Sequence, residues 1–232
     1  MRNSMMVMLA AASLTPSLFA KKEDVDKRLA AASTVMSEIM NTPDKGIPDE
    51  LLDSAECVII VPSLKKGAFV FGGKYGKGFT FCRHATGAGW SAPAGVIVEG
   101  GSFGFQIGGS ETDVVMLVMN KTGADHLMSS QFTLGGDASI AAGPVGRTAA
   151  ADTDATMRAQ ILSYSRARGI FAGVALSGAT LREDKDTNRE MYGSVMTNKE
   201  ILRGTTKAPA AGAGIETLLN KYSRHKEPTK LP

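Results

Sequence analysis

The most catalytic-looking string in the chain is Gly100-Gly101-Ser102-Phe103-Gly104, which has the G-x-S-x-G spacing of a nucleophile elbow. An elbow lifts its serine on a tight strand-to-helix turn, so a helix must follow. Here Phe103-Gly104-Phe105-Gln106-Ile107-Gly108-Gly109 alternates and is too glycine-rich to be helical. The string therefore reads as strand, and a serine esterase built on Ser102, Asp113 and His126 is the disfavoured alternative. Gly72 to Gly78 matches a phosphate-cradling loop only loosely, because Lys77 is followed by Gly78 rather than by Ser or Thr. His84 and His126 lack cysteine or acidic neighbours at ligand spacing, and Glu183, Asp184 and Asp186 lack the glycine and distal glutamate of a calcium loop. No metal, cofactor or catalytic residue is expected.

What remains for chemistry is charge. Lys65, Lys66, Lys74 and Lys77 gather around an expected hairpin, with Arg83 nearby. This cluster suits an anionic headgroup or membrane surface, where each basic contact contributes up to ~1 kcal/mol. The whole chain carries 26 Lys and Arg against 23 Asp and Glu, a balance that gives nucleic-acid binding no support. Lys221, Arg224, Lys226 and Lys230 face only Glu227 in the tail, which reads as solvated.

The elements that must position this cluster are mostly strands. Val25, Leu29, Ala32, Val35, Met36, Ile39 and Met40 recur at steps of three and four, which predicts an amphipathic helix over 23–40, ended by Asn41-Thr42-Pro43. That helix either docks on the domain or inserts at a membrane, and docking is expected. A short helix over 47–55 follows. Cys57-Val58-Ile59-Ile60-Val61 is a β-branched run stopped by Pro62. Strands at Ala68–Phe71 and Phe79–Cys82 are expected to flank a glycine-rich bend, Gly72 to Gly78. Further strands are read at 95–107, 112–119, 132–134, 138–142, 145–150, 161–167 and 170–177, and helices at 120–129, 183–192, 198–203 and around Ile215 to Tyr222. The 26 glycines among 232 residues lie within apolar stretches rather than in a linker, so the backbone must bend and pack closely inside the fold. The fold class is α+β, a strongly curved, mostly antiparallel, barrel-like glycine-rich sheet with N-terminal, middle and C-terminal helices.

Arg2, the apolar run Met5 to Leu14 and the small residue Ala20 ahead of Lys21-Lys22-Glu23-Asp24 read as a signal peptide over 1–20. Export to a periplasm is the expected localisation, and it makes a Cys57–Cys82 disulfide an option. In a simple meander the two cysteines lie two strand spacings apart, about 9.5 Å, beyond the ~7 Å that a disulfide bridges, so buried thiols are expected ahead of a bridge.

Trp90-Ser91-Ala92-Pro93, Gly100 to Gly108, Thr112-Asp113-Val114-Val115, Leu134 to Ala138 and Ala142 to Arg147 resemble the blocks of SYLF domains. So do Ser163 to Arg166, Gly169 to Val174, and Asn188 with Tyr192-Gly193. The resemblance covers roughly residues 25–205 in the family's order. It implies a lipid-binding domain: eukaryotic members bind phosphoinositides, some act in actin organisation, and bacterial members are exported and associated with phospholipid. The actin role is not expected to carry over, because the chain carries no companion SH3 or FYVE domain and export removes it from actin. The expected domain organisation is signal peptide 1–20, lipid-binding domain 21–207, and linker, short helix and basic tail 208–232. The expected function is non-catalytic binding of phospholipid in the cell envelope, through Lys65, Lys66, Lys74, Lys77 and Arg83 and a curved apolar sheet bearing Phe69, Phe71, Phe79, Phe81, Phe103 and Phe105. A structural envelope domain with a protein partner is the alternative. Trp90, Asp113, Asp137 and Arg147, inside the resembling blocks, are expected to form structural pairs and turn caps rather than a reactive site.

Overall fold

The computed structural model describes residues 16–42, 46–69, 71–84, 89–103, 108–145, 158–167, 170–174 and 176–223. Helix α1 (Pro16–Met40) crosses the expected cleavage point, and its buried stripe begins at Val25 and continues through Leu29, Ala32, Val35, Met36 and Ile39. The short α2 (Asp49–Ser54) leads into β1 (Cys57–Phe69), β2 (Phe71–Cys82), β3 (Ala94–Phe103) and β4 (Gly108–Val118). After these come α3 (Lys121–Leu127), β5 (Gln131–Thr133), β6 (Ile140–Ala142), β7 (Ile161–Ala167), β8 (Ile170–Gly173) and β9 (Thr180–Glu183). Helices α4 (Lys185–Tyr192), α5 (Asn198–Arg203) and α6 (Ala213–Tyr222) close the described chain. Among the described residues no helix is long and apolar enough to cross a membrane.

The strands form one strongly curved half-barrel in the order β5-β9-β3-β2-β1-β4-β7-β6, with β8 on β7. All pairings are antiparallel except β6 with β7. The sheet is buried on both faces. On one, Val58, Ile60, Phe79, Phe81, Val115 and Leu117 pack under α1 and under Ile215 and Leu219 of α6. On the other, Ile59, Val61, Leu64, Val96, Val98, Val114 and Met116 meet Leu127 of α3 and Ile201 and Leu202 of α5. Burial on both sides explains why β1 opens as an unbroken β-branched run.

Three expectations are corrected. Pro62 does not stop β1: the strand continues through a register break between Val61 and Leu64. At a bulge a residue without an N–H costs no ladder bond, and Ser63, at φ 56, donates its N–H to Asp113 Oδ1 at 2.9 Å. Gly72 to Gly78 is not a bend but the interior of β2, and the chain reverses between Phe69 and Phe71, which are register partners. The glycines are needed for the close approach that the bulge imposes. A Cβ on Gly76 would lie 2.8 Å from Leu64 Cδ1, and one on Gly78 would overlap the Ile60 carbonyl. The sheet is also not a meander, because β4 returns to pair with β1. With β2 a single strand, Cys57 and Cys82 are direct register partners with Cα atoms 4.0 Å apart, and they form a disulfide rather than two thiols. Strand β9 was not foreseen, since Leu181 is the one fully buried residue in Thr180–Glu183. The expected strand over 145–150 lies almost wholly outside the described residues.

Candidate functional site

The β1–β2 hairpin carries four of the five basic residues singled out in the sequence and Arg83 directly follows β2, and their neighbours separate them into three groups. At the tip, Lys66 and Lys74 are direct cross-strand partners, with Lys65 opposite Tyr75 in the next row. Lys66 shares the face of Leu64, and Lys74 the face of Gly76, whose Cβ position points at Leu64. Both ammonium groups therefore rise from one side of the sheet, the side away from α1. Both residues are half-buried, and neither forms an ion pair with any acid among the described residues. Burial, and then the adjacent Lys66 charge, hold the Lys74 ammonium below its usual pKa. The rest of the tip offers little bulk on that face, since the outer partners of this row are Gly100 on β3 and Ser110 on β4. The Lys74 stem lies across Gly100, its Cε 3.5 Å from where a Cβ would stand. The next row out, on the opposite face, is glycine on all four strands: Gly101, Gly73, Gly67 and Gly109. Tyr75, 46% exposed, stands beside this bare strip.

Midway along the hairpin, Lys77 is committed to the fold. Its Nζ lies 2.8 Å from Oδ2 of Asp184, a carboxylate whose side chain is only 4% exposed and which caps α4. Asp184 also accepts from the Thr187 hydroxyl at 2.7 Å and the Thr187 N–H at 3.1 Å. Burial pushes this carboxyl up, but the Lys77 and Thr187 contacts outweigh it and leave the pKa below the usual value.

Arg83, at the foot of the hairpin, is structural too. Its Nε donates to the Ala55 carbonyl at 2.9 Å, and its Nη2 to the carbonyls of Leu52 and Asp53 and to the Ser223 hydroxyl. These carbonyls end α2, where a cation also meets the negative end of the helix. The guanidinium stacks 4.4 Å from the ring centroid of Trp90. Of the five candidates, Lys66 and Lys74 share one face of the tip and Lys65 lies on its other face; Lys77 and Arg83 do not belong to the tip.

The other singled-out residues hold structure. Asp113 accepts from Arg166 Nε at 2.9 Å, and Arg166 also pairs with Glu38 of α1. Asp137 accepts from the Thr133 N–H at 2.7 Å across the Gly135-Gly136 turn. Trp90 is buried. Ser102 lies within β3, paired with Gly72, and not at the strand-to-helix turn that an elbow requires. Phe79 and Phe81 are core under α1. Phe69, Phe71 and Phe103 are register partners at the far end of the tip. Arg147 and Phe105 lie outside the described residues. A charge census misses what distinguishes the site, namely the direct opposition of Lys66 and Lys74, which depends on a register shifted by the bulge near Pro62.

Comparison with known proteins supplies the family. The chain is 40% identical over 177 residues to the SH3 domain-containing protein PJ696.02 of Schizosaccharomyces pombe, covering 75% of this chain and 41% of that one. It is 36% identical over 171 residues to LAS seventeen-binding protein 3 of Saccharomyces cerevisiae, covering 72% and 37%. It is 32% identical over 188 residues to human SH3 domain-containing YSC84-like protein 1, covering 81% and 54%. The chain thus spans between about two fifths and just over half of these relatives, none of which bears the name of an enzyme. Residues 99–222 match the family model Ysc84, described as Las17-binding protein actin regulator. The chain belongs to this Ysc84 family, the family of SYLF domains.

Proposed function

We propose that this domain is a non-catalytic module that docks on anionic phospholipid through the tip of the β1–β2 hairpin, with Lys66 and Lys74 as the central contacts. The observation that carries the reading is the opposition of two half-buried lysines without an acidic partner among the described residues. Like charges directly opposite each other destabilise a sheet, and a phosphate between them turns that repulsion into two attractions. In this reading residues 1–20 direct export and the domain works peripherally in the periplasm. A disulfide between Cys57 and Cys82 supports an oxidising compartment.

The purified protein is expected to co-sediment with phosphatidylcholine vesicles containing phosphatidylglycerol, not with phosphatidylcholine alone, and to be released by salt. The double variant Lys66→Glu/Lys74→Glu should lower this binding at least tenfold with the melting temperature retained. Equal binding by wild type and double variant would sink the reading. The second reading is a protein partner in the envelope, favoured by the Las17-binding description of the family. It predicts capture of one defined partner by the protein, lost when residues 224–232 are removed with α6 and its buried Ile215 and Leu219 kept.

A further inference from the structure

The opposite end of the same hairpin holds a second feature that the tip does not use. Cys57, at the foot, lies nine residues from Lys66 along β1, roughly 30 Å from the tip. A cavity of about 630 Å³ opens there, within the range of small-molecule pockets. Its apolar wall is the Cys57–Cys82 disulfide with Ala124, Met128 and Leu202, so the cavity reaches the edge of the core beneath α3 and α5. Its polar wall carries Arg83, His84 and Lys121. Two acids also line it: Asp125, already paired with Arg203 at 2.5 Å, and Glu56. Lys121 is exposed and has no ion-pair partner among the described residues. Arg83 spends Nε and Nη2 on protein acceptors, leaving Nη1 without a hydrogen-bond acceptor among the described residues. Burial holds the Arg83 pKa below its usual value, against the opposing charges of Asp53 and Glu56.

We propose that this cavity binds a small anionic amphiphile, its charged head between Arg83 and Lys121 and its apolar body against Ala124, Met128 and Leu202. The inference is independent of docking at the tip, because it needs no membrane surface and none of the tip lysines. The apolar wall excludes a bare anion as the full ligand, and the cationic wall excludes an uncharged hydrocarbon.

Trp90 is the single tryptophan of the chain and stacks on Arg83, so its emission reports on this cavity. The full chain is titrated with dodecyl phosphate kept below its micelle concentration, and in parallel with dodecanol and with inorganic phosphate. Dodecyl phosphate should shift the Trp90 emission saturably, and each of the other two probes should need at least tenfold more ligand. Lys121→Glu, at an exposed position, should weaken dodecyl phosphate at least tenfold, and Ala124→Phe, which fills the apolar wall, should abolish the shift. Inorganic phosphate or dodecanol matching dodecyl phosphate would overturn the proposal, as would a shift untouched by Lys121→Glu. The titration contains no vesicles, so its failure leaves tip docking standing, and failed vesicle binding leaves this result unaffected.

Discussion

Lysines that look alike in the sequence differ entirely in what surrounds their charge. Lys77 faces Asp184, whose carboxylate is buried and receives two further bonds from Thr187. Removing the ammonium leaves a buried anion short of its cation, which costs about 1–3 kcal/mol. Lys77→Met should therefore destabilise the protein by that order in urea unfolding at neutral pH, with vesicle binding by the folded protein unchanged. The pH dependence has a definite sign. The Asp184 pKa is lowered in the fold, so its carboxylate contributes stability above the usual value of 3.8 that is lost as the pH falls through the lower folded value. In Lys77→Met that contribution shrinks, so the gap between wild type and variant should narrow on acidification below pH 3.8. A constant gap from neutral to acid pH would show that the loss does not come from the Lys77–Asp184 charge pair. Lys66 and Lys74 carry the opposite expectation: their loss costs binding rather than stability.

At the scale of elements, glycine does two different jobs within the one β1–β2 hairpin. Gly76 and Gly78 of β2 lie against the β1 bulge, where a methyl group meets Leu64, Val61 or the Ile60 carbonyl. Gly67 of β1, in the all-glycine row of the tip, has nothing within 4 Å of a Cβ. Gly78→Ala should thus lower stability by about 1–3 kcal/mol through overpacking, while Gly67→Ala changes it by less than about 1 kcal/mol, as thermal unfolding of the two variants will report. Equal losses would mean that the bulge relaxes around a methyl group. This duality also sets how far the fold was legible in the sequence. The α1 stripe from Val25 to Ile39 and the β-branched run Cys57 to Val61 announce themselves by period and residue type. Gly72 to Gly78 does not, because glycine marks a turn and a close approach equally well, and only the bulge at Pro62 decides between them. Strand β9 escaped because Leu181 is its single fully buried residue. The site was legible as charge and not as geometry: Asp184 lies far along the chain from Lys77, and the carbonyls that hold Arg83 have no signature in side-chain composition.

Across the whole molecule, β1 belongs to both cores: its alternate residues pack under α1 and against α3 and α5, and its neighbours β2 and β4 do the same. The Cys57–Cys82 bridge ties β1 to β2 at the foot, where α2, α3 and the cavity meet. The sequence separation of 25 residues sets how much chain the bridge closes. Restricting a loop of that length in the unfolded chain contributes about 3–4 kcal/mol. For a chain of this size that corresponds to a fall in melting temperature of roughly 6–16 °C when the bridge is absent. Calorimetry with and without a phosphine reductant measures this, and Cys57→Ala/Cys82→Ala should reproduce the reduced value. Each β1–β2 ladder bond and both apolar faces remain in the reduced protein, so the fold should persist at room temperature and the tip, roughly 30 Å away, should still bind vesicles. A reduced protein that melts at the same temperature as the oxidised one would show that the paired strands already hold the foot closed, and that the bridge adds no stability to this fold.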